Sequence, residues 1–501
     1  MPEDHDSFWG HLKQIGEFVR AIPASATFDL AVAEFSRNFP SGVFYLDCWP
    51  FGLPLVIISS PHAASQLQEF SAWQKPDDVN GPFEKMTAGP NMLTMHENIW
   101  KQWRSLFNPS FAAGYIMELA PNIAKEVGVL CSILKQRAQE GQIFELEILT
   151  ANLALDVIGT TSLDAHLRQQ EKVNPFARVL KRQVEWVAFG QIVDPWKTYN
   201  PMRPFIVWNN NRLMRKYIGA EIDRRFAEIK NKDRSVSTEH KRGPKSIISL
   251  ALEGYLQQAG KDGRLPSSLD TAFRDAAISQ IIVFMIAGHE TTSTTICMAI
   301  HSLSTNQAAL TRIRAEHDEV FGKDSSPSYL IALIRDQPER LNQLPYTLAI
   351  IRETLRLYPP ASKILMGSPS INLTDDDGKT YPTTGYKVWA VHTAIHRNPK
   401  YWPDPDAFIP ERWLAKEGDP LYPVKGAWRP FEFGVRNCIG QTLAVMEVKV
   451  ALLMLAREFN FSPAYPADAP EMWGSKAHLV KTKGLGGKPS DSYPCTVTLA
   501  K

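Results

Sequence analysis

One cysteine in this chain has the surroundings of a metal-binding thiolate. Cys438 lies in residues 431–440, FEFGVRNCIG, directly before a segment with helical periodicity. The N-terminus of a helix stabilises a thiolate through its free N–H groups and its positive dipole end. Gly434 allows a tight turn with positive φ, and Gly440 allows a flat cofactor to approach the backbone. Because Arg436 offers a cation to an anionic group, the segment predicts a thiolate site for a flat, charged prosthetic group.

A second segment breaks the rules of an otherwise regular helix. Residues 267–304 have the periodicity of one long helix, and residues 281–287 are apolar on every face. That pattern is typical of a helix through the centre of a large protein. Gly288 costs about 1 kcal/mol relative to alanine in a helix. The nearby Glu290 is costly to bury, and the hydroxyl of Thr291 competes for backbone carbonyls. Such exceptions are expected at a functional site.

Hydrophobic periodicity predicts a mainly helical protein with a small β portion (α+β). Helical repeats occur at 115–138, 143–160, 267–304, about 341–357 and 440–458. We expect Ser267 or Ser268 to cap the long helix, with Asp270 in its first turn. Residues 41–62 combine β-branched and aromatic residues with Gly and Pro and predict a hairpin, and a last strand is expected near residues 496–498.

Composition limits the class of protein. The chain has 501 residues, 44% of them hydrophobic, and a formal charge of +2, which argues against nucleic-acid binding. Its other four cysteines are scattered without a CxxC spacing, which predicts free thiols in a reducing compartment. No run of 18 apolar residues is present, so no transmembrane helix is expected. The charged segment 231–246 is expected to be a surface loop.

The cysteine segment resembles the heme-binding signature of the cytochrome P-450 family, FxxGxRxCxG, at all five fixed positions. The resemblance extends from about residue 30 to the end, and AWRPF at 427–431 is similar to filamentous-fungal members that modify secondary metabolites. It implies the cytochrome P-450 fold, with a long central helix over the heme and a small β-rich subdomain from about 30–75 and 360–395. We expect 1–501 to be one catalytic domain, with 1–29 as a possible remnant after a missing membrane anchor.

The resemblance assigns roles around the iron. Cys438 would be the metal ligand, and Ala287 and Gly288 would line the groove where dioxygen binds. Thr291 would hydrogen-bond the bound oxygen, and Glu290 would help to relay protons to it. Glycine, acid and threonine occur here in the order of the family's oxygen-activation motif.

The resemblance also implies contacts to the edge of the heme. Trp100 and Arg104, four residues apart on one helical face, match the family's WxxxR motif, which binds a heme propionate. Phe431 would pack beneath the ring, and Arg436 would face an anionic group. After Pro360, where the family usually offers an Arg or a His, the nearest cation here is Lys363.

A structural ion cluster is expected behind the cysteine segment. Glu353 and Arg356 alone would be an ordinary solvated pair three residues apart on a helix. In the family such a pair is buried and joined by an arginine from a PERF-like segment. Here that segment is PERW at 410–413, in which Trp413 replaces the usual final Phe. Arg412 would therefore complete a Glu353–Arg356–Arg412 cluster that holds the cysteine segment in place.

The cofactor implied is heme b with an axial thiolate, and the reaction is oxygen insertion from O2 into a lipophilic small molecule, by hydroxylation or epoxidation. Since no dinucleotide-binding glycine motif is found, the electrons of NADPH should arrive from a separate protein, NADPH–cytochrome P-450 reductase. A monomer at the cytosolic face of the endoplasmic reticulum membrane, in an anchored form, is expected. Segments expected to line the substrate pocket are 80–95, 180–210, 284–287, 362–366 and 485–487. Apolar side chains in or near these segments are Phe83, Met86, Trp186, Phe189, Phe284, Leu365 and Met366.

Two other functions are compatible with the same motifs. One is a peroxide-dependent or substrate-rearranging enzyme of the same fold, although members of that kind often lose the acid–threonine pair that this chain keeps. The other is a heme-binding sensor or carrier without catalysis. A ferrous–CO spectrum and oxygen consumption would discriminate among them.

Overall fold

The structure is a computed structural model that describes residues 5–49, 52–68, 74–187, 195–232, 245–259, 268–482, 484 and 486–500. Its helices are α1 (Leu12–Ala21), α2 (Phe28–Ser36), α3 (Pro61–Ser65), α4 (Asp77–Met86), α5 (Glu97–Phe107), α6 (Ala113–Glu140), α7 (Leu146–Leu163), α8 (Pro175–Val187), α9 (Pro195–Thr198), α10 (Arg203–Lys232), α11 (Ile247–Ala259), α12 (Thr271–Thr305), α13 (Gln307–Phe321), α14 (Pro327–Asp336), α15 (Pro345–Leu357), α16 (His392–His396) and α17 (Gln441–Glu458). Its strands are β1 (Val43–Leu46), β2 (Leu55–Ile58), β3 (Phe144–Glu145), β4 (Lys363–Met366), β5 (Asn372–Thr374), β6 (Thr380–Pro382), β7 (Lys387–Ala390), β8 (Phe459–Pro463), β9 (Leu479–Val480), β10 (Lys488–Pro489) and β11 (Pro494–Leu499). The predicted mainly helical class with a small β portion is confirmed.

The long helix α12 runs through the main hydrophobic core and packs most extensively against α7, with α17 and α15 beside it. Its residues 277–286 and 292–303 are buried, as the apolar character of all its faces predicts. The helix begins at Thr271, and the Asp270 side chain caps it by accepting a hydrogen bond of 2.9 Å from the N–H of Phe273. The predicted cap at Ser267 or Ser268 is therefore wrong, because the carboxylate of Asp270, which was expected in the first turn, directly precedes the helix and serves as the cap. Ser267 itself lies outside the described residues.

Two other predicted helix starts are also wrong. Helix α7 starts at Leu146 rather than 143, because Phe144 and Glu145 form β3 and pair with β11. Helix α15 starts at Pro345, whose fixed φ suits the first helical position, and the residues before it form a 3₁₀ turn. Its end at Leu357, before Pro359, agrees with the prediction.

A four-stranded sheet joins two distant parts of the chain. Its strand order is β1-β2-β7-β4, with β2 and β7 parallel and the other pairs antiparallel. The hairpin predicted within 41–62 is confirmed as β1 and β2, with Val43 opposite Ile58. The predicted last strand is confirmed as β11, which pairs with β8 and β3. One catalytic domain over the whole chain remains a prediction.

Within the described residues, two helices are long and apolar enough to cross a membrane by length and composition, although the sequence analysis predicted none. They are α7 and α12, and 78% and 56% of their apolar windows are buried inside the protein. Core helices of this kind meet the same criteria. Most of the predicted surface loop at 231–246 lies outside the described residues.

Candidate active site

The cysteine loop, residues 431–440, is a tight turn that leads directly into α17. Gly434 has a φ of +80°, as predicted, and its carbonyl accepts the N–H of Asn437 at 3.1 Å. The carbonyl of Phe431 accepts the N–H of Cys438 at 2.9 Å. Gly440 is the N-cap residue of α17. These two backbone bonds place Cys438 at the open end of the helix, where the helix dipole is positive.

The thiol of Cys438 is accessible although it lies deep in the fold. Of the described cysteines, this residue alone is exposed, while Cys48 is half-buried and the other three are buried. Burial by surrounding protein raises the pKa of the Cys438 thiol, whereas the N–H groups of Gly440 and Gln441 and the charge of Arg104 lower it. Burial outweighs these groups, so the pKa of the thiol lies above its ordinary value, and the helix start and Arg104 limit that rise.

Helix α5 brings the predicted WxxxR pair to the cysteine loop. Arg104 donates to the carbonyl of Asn437 at 3.0 Å and to Asn437 Oδ1 at 2.8 Å. Trp100 is buried, and the guanidinium of Arg436 lies 4.5 Å from its ring centroid. Arg436 also donates to the carbonyl of Met95 at 3.2 Å. Sequence reasoning missed Asn437, for which no local signal exists.

The side chains of Lys75, Lys363 and Arg436 lie close enough together to repel one another, and Arg436 is the cation that contacts Trp100. A backbone bond of 2.7 Å from the N–H of Met366 to the carbonyl of Gln74 brings the segment before α4 to strand β4. Burial, with repulsion from Arg436 and Lys363, lowers the pKa of Lys75 to about 8. Burial likewise lowers the pKa of Lys363. Lys363 is the cation expected after Pro360, whereas Lys75 was not predicted. Crowded cations of this kind favour an anionic ligand.

The centre of α12 is more exposed than the buried turns on either side of it. Residues 287–289 and 291 are half-buried, between buried runs on both sides. The Thr291 hydroxyl donates to the carbonyl of Ala287 at 2.8 Å, and the helix continues without a break. A Cβ at Gly288 would lie 3.2 Å from Ile158 Cδ1, so glycine here also allows α7 to pack closely. His289 Nδ1 lies 2.7 Å from the carbonyl of Met285 and must donate to it, as a satisfied helix histidine does.

The carboxylate of Glu290 is buried against the loop between β9 and β10. The side chain is 8% exposed, and a Cβ atom at Gly484 would overlap its oxygen atoms. The same loop is fastened to the helix by a bond of 3.1 Å from the Thr294 hydroxyl to the carbonyl of Gly487. The N–H of Gly487 donates to the carbonyl of Pro360 at 3.0 Å. The loop therefore determines where the acid of the α12 motif lies, a dependence that the sequence analysis missed.

The predicted ion cluster is assembled in the interior. Glu353, Arg356 and Arg412 are fully buried. Glu353 Oε1 lies 2.8 Å from Arg356 Nη2 and 3.3 Å from Arg412 Nε, and Glu353 Oε2 lies 3.0 Å from Arg356 Nε. Arg356 also donates to the carbonyls of His396, Pro405 and Ala407, so all five of its N–H groups are used. Trp413 Nε1 is a further donor to Glu353 Oε2, at 3.0 Å, which sequence reasoning did not predict.

The apolar residues predicted for the substrate pocket have mixed surroundings. Phe284 packs edge-on against Phe107 and Phe111, with ring centroids 5.0 and 5.4 Å apart, as a core residue does. Phe83, Met86 and Leu365 are also buried, while Trp186 and Met366 are half-buried. Phe189 and Leu485 lie outside the described residues. Their assignment to a pocket stays a prediction.

Fold and site together define a mainly helical protein. It has an accessible thiol at the N-terminus of one helix and half-buried residues in the middle of another, otherwise buried helix. The sequence matches the family described as Cytochrome P-450 over residues 8–485. It is 34% identical to cytochrome P-450 monooxygenase polC of Polytolypa hystricis, over 100% of this chain and 89% of that protein. It is 31% identical to cytochrome P-450 monooxygenase acrF of Aspergillus aculeatus, over 84% of this chain and 85% of that protein. The chain belongs to the cytochrome P-450 family.

Solved structures agree on the fold. The crystal structure of the cytochrome P-450DA heme domain superposes with a TM-score of 0.74 at 20% identity, over 99% of this chain and 96% of that one. The predicted fold, the predicted family and the predicted similarity to fungal members are confirmed. Heme, a small-molecule substrate and a redox partner are general features of this family.

Proposed function

We propose that this chain is a heme-thiolate monooxygenase that inserts one oxygen atom of O2 into a lipophilic small molecule in fungal secondary metabolism. The observation that carries the proposal is the accessible thiol of Cys438 at the start of α17. Membership in the cytochrome P-450 family and relatives named as monooxygenases support it. The iron ligand in this proposal is the Cys438 thiolate.

The residues around Cys438 fit heme b. A soft thiolate is a suitable axial ligand for heme iron. The two propionates of heme require cations, and the described residues place Arg436, Lys75 and Lys363 together near the cysteine loop. Arg104 and Trp100 reach the same loop, although two N–H groups of Arg104 already donate hydrogen bonds to Asn437. The donor set therefore matches a prosthetic group with one metal and two carboxylates.

The heme supplies the activation of dioxygen when it is bound. In this proposal Thr291 holds a proton at Oγ1, which in the present structure points to the carbonyl of Ala287. Glu290 supplies protons to that hydroxyl from its buried carboxylate. The role of the cluster formed by Glu353, Arg356 and Arg412 is structural: it holds the cysteine loop in place and takes no part in proton delivery.

Electrons come from NADPH through a separate NADPH–cytochrome P-450 reductase, and we propose that the chain itself is a monomer. We also propose a location for the native protein.

In this proposal the native protein lies at the cytosolic face of the endoplasmic reticulum membrane. Large exposed side chains at α9 and the start of α10 support this location, since tryptophan and tyrosine favour the membrane–water interface. Trp196 is 88% exposed and Tyr199 is 83% exposed, and Phe205 and Trp208 are exposed beside them.

The ferrous–CO spectrum tests the proposal. The wild-type protein should show the red-shifted Soret band of a thiolate ligand and should oxygenate a lipophilic substrate with reductase and NADPH. Cys438→Ser should abolish both properties. Cys48→Ser, which changes a half-buried free thiol in the β1–β2 connection, should leave both intact. A wild-type protein without the thiolate band would contradict the proposal. Turnover with peroxide, and none with reductase and NADPH, would replace it with a peroxide-dependent reaction.

A further inference from the structure

Trp413 has a polar contact that the phenylalanine usual at its position in the family could not make. Its indole N–H donates to Glu353 Oε2 at 3.0 Å. Glu353 Oε1 accepts three bonds, from Arg356 Nη2, Arg412 Nε and the backbone N–H of Ile409. Oε2 accepts from Arg356 Nε and from Trp413. Trp413 thus supplies one of the two donors to the second oxygen of a fully buried carboxylate.

The ring of Trp413 begins a row of aromatic contacts that ends in the cysteine loop. Its centroid lies 5.5 Å from that of Trp428, with the planes at 63°. Trp428 lies 6.0 Å from Phe431, with the planes at 69°. Both arrangements are edge-to-face, the favourable geometry for aromatic pairs. The carbonyl of Phe431 accepts the N–H of Cys438 at 2.9 Å, so contacts connect the buried carboxylate to the cysteine without interruption.

Both indoles of this row are held by adjacent residues of α15. Trp428 Nε1 donates to the carbonyl of Arg352 at 3.0 Å, and Trp413 Nε1 donates to the side chain of Glu353. The guanidinium of Arg352 lies 5.9 Å from the ring centroid of Trp413. Because each indole has one N–H and that N–H is used, rotation of either ring would break a bond. One turn of α15 therefore fixes the orientation of the row.

We propose that Trp413 is a positioning residue that transmits the placement of the buried ion cluster to the cysteine loop through Trp428 and Phe431. The inference rests on the proposed function, in which Cys438 binds heme iron. Ligands of a metal are held in place by the residues behind them, and the loss of such support loosens the metal site before it unfolds the protein. The aromatic row supports the cysteine loop in this way, because the backbone–backbone hydrogen bonds of the loop join only residues that are close along the chain.

The test uses Trp413→Phe, which keeps an aromatic ring and removes the N–H. The measurement is the rate at which the ferrous–CO thiolate band of the heme-loaded protein converts to a band without the thiolate red shift, at a fixed mild denaturant concentration. We expect conversion about tenfold faster than in the wild type, the effect of losing one hydrogen bond to a charged group. Trp428→Leu, which interrupts the row between Trp413 and Phe431, should accelerate conversion at least as much.

Trp473→Phe is the matched control. Trp473 is another half-buried tryptophan whose N–H donates to a carboxylate, Glu34 of α2, outside the aromatic row. Its substitution should lower the general stability by a similar amount and leave the conversion rate of the thiolate band unchanged.

The possible results separate this inference from the proposed function. A wild-type protein without a thiolate band would contradict the proposed function itself. If the wild type has the band and Trp413→Phe loses it no faster, only the positioning role is wrong. Equal acceleration by Trp413→Phe and Trp473→Phe would also overturn it, because general stability would then explain the effect. A Trp413→Phe chain that does not fold would show a role in the whole domain, which likewise contradicts the inference.

Discussion

The guanidinium of Arg104 binds both oxygen atoms of Asn437, the residue that directly precedes Cys438, at 3.0 and 2.8 Å. Hydrogen bonds within the chain therefore hold helix α5 against the cysteine loop, in addition to any contact that both make to heme. A planar guanidinium suits this two-pronged contact, because its N–H groups point in fixed directions. The arginine of the WxxxR pair thus has a role in the protein that the resemblance alone did not imply.

Arg104→Lys should weaken heme retention although it conserves the charge. A lysine ammonium cannot reproduce the fork, so one of the two oxygen atoms of Asn437 loses its donor, at a cost of about 1.5 kcal/mol or more. We expect heme transfer to an excess of apomyoglobin to be about tenfold faster than in the wild type. Arg137→Lys, in an exposed ion pair of α6, is the control and should transfer heme at the wild-type rate. Equal rates for Arg104→Lys and the wild type would contradict this role.

Thr291→Ala should uncouple NADPH consumption from product formation. In the proposed function the Thr291 hydroxyl holds the proton that the reaction uses, and positioned proton donors contribute roughly 10²-fold or more to such steps. Product formed per NADPH should fall at least about tenfold by this estimate, with hydrogen peroxide released instead.

Thr295→Ala is the matched control for that substitution. The Thr295 hydroxyl also donates to the carbonyl four residues earlier, at 2.8 Å, but Thr295 lies in the buried part of α12. Its removal should leave the coupling of NADPH to product unchanged. If both variants uncouple equally, a change in helix geometry and not proton delivery is responsible.

Gly484→Ala should displace the carboxylate of Glu290 and reproduce the effect of Glu290→Gln on coupling. The added Cβ would overlap the carboxylate oxygens, and the flexible glutamate side chain is the part that can move. The ferrous–CO spectrum should stay that of the wild type. Gly114→Ala, where a Cβ meets nothing within 4 Å, is the control, and unchanged coupling in Gly484→Ala would refute the predicted displacement.

Heme affinity should fall as pH rises above about 8. Burial together with Arg436 and Lys363 lowers the pKa of Lys75 to about 8 from 10.5. In the folded apoprotein this lysine is therefore neutral between those values, whereas it is charged in the unfolded chain. The unfolded chain thus binds more protons, and the contribution of Lys75 to apoprotein stability increases with pH in this window. Heme propionates favour the charged form, so binding takes up a proton there and weakens with pH.

Heme titrations of the apoprotein between pH 8 and 10.5 measure this dependence. Lys75→Arg stays charged throughout the window, so its affinity should depend less steeply on pH. A residual slope is expected from Lys363, whose pKa burial also lowers. An unchanged slope in Lys75→Arg would mean that Lys75 does not face the propionates.

The local patterns of the sequence determined the parts of the site that lie close together along the chain. The cysteine loop needs a glycine at a positive φ and a helix directly after it, and both follow from residues 431–440. The apolar centre of α12 followed in the same way from its composition on all faces. Such features depend on backbone geometry and periodicity, which neighbouring residues decide among themselves. Element ends were less well predicted, since strand pairing and a competing cap moved them by a few residues.

Only the tertiary structure decided which distant residues meet at the site. Arg104 and Asn437 are separated by 333 positions, and Glu353 and Trp413 by 60. Neither the placement of Gly484 against Glu290 nor the grouping of Lys75 with Lys363 has a local sequence signal. These contacts arise when helices and strands pack, because packing brings together side chains whose separation along the chain carries no information about their distance in space. Local sequence motifs thus determined the kind of chemistry, and tertiary packing determined which distant residues hold the reacting groups in place.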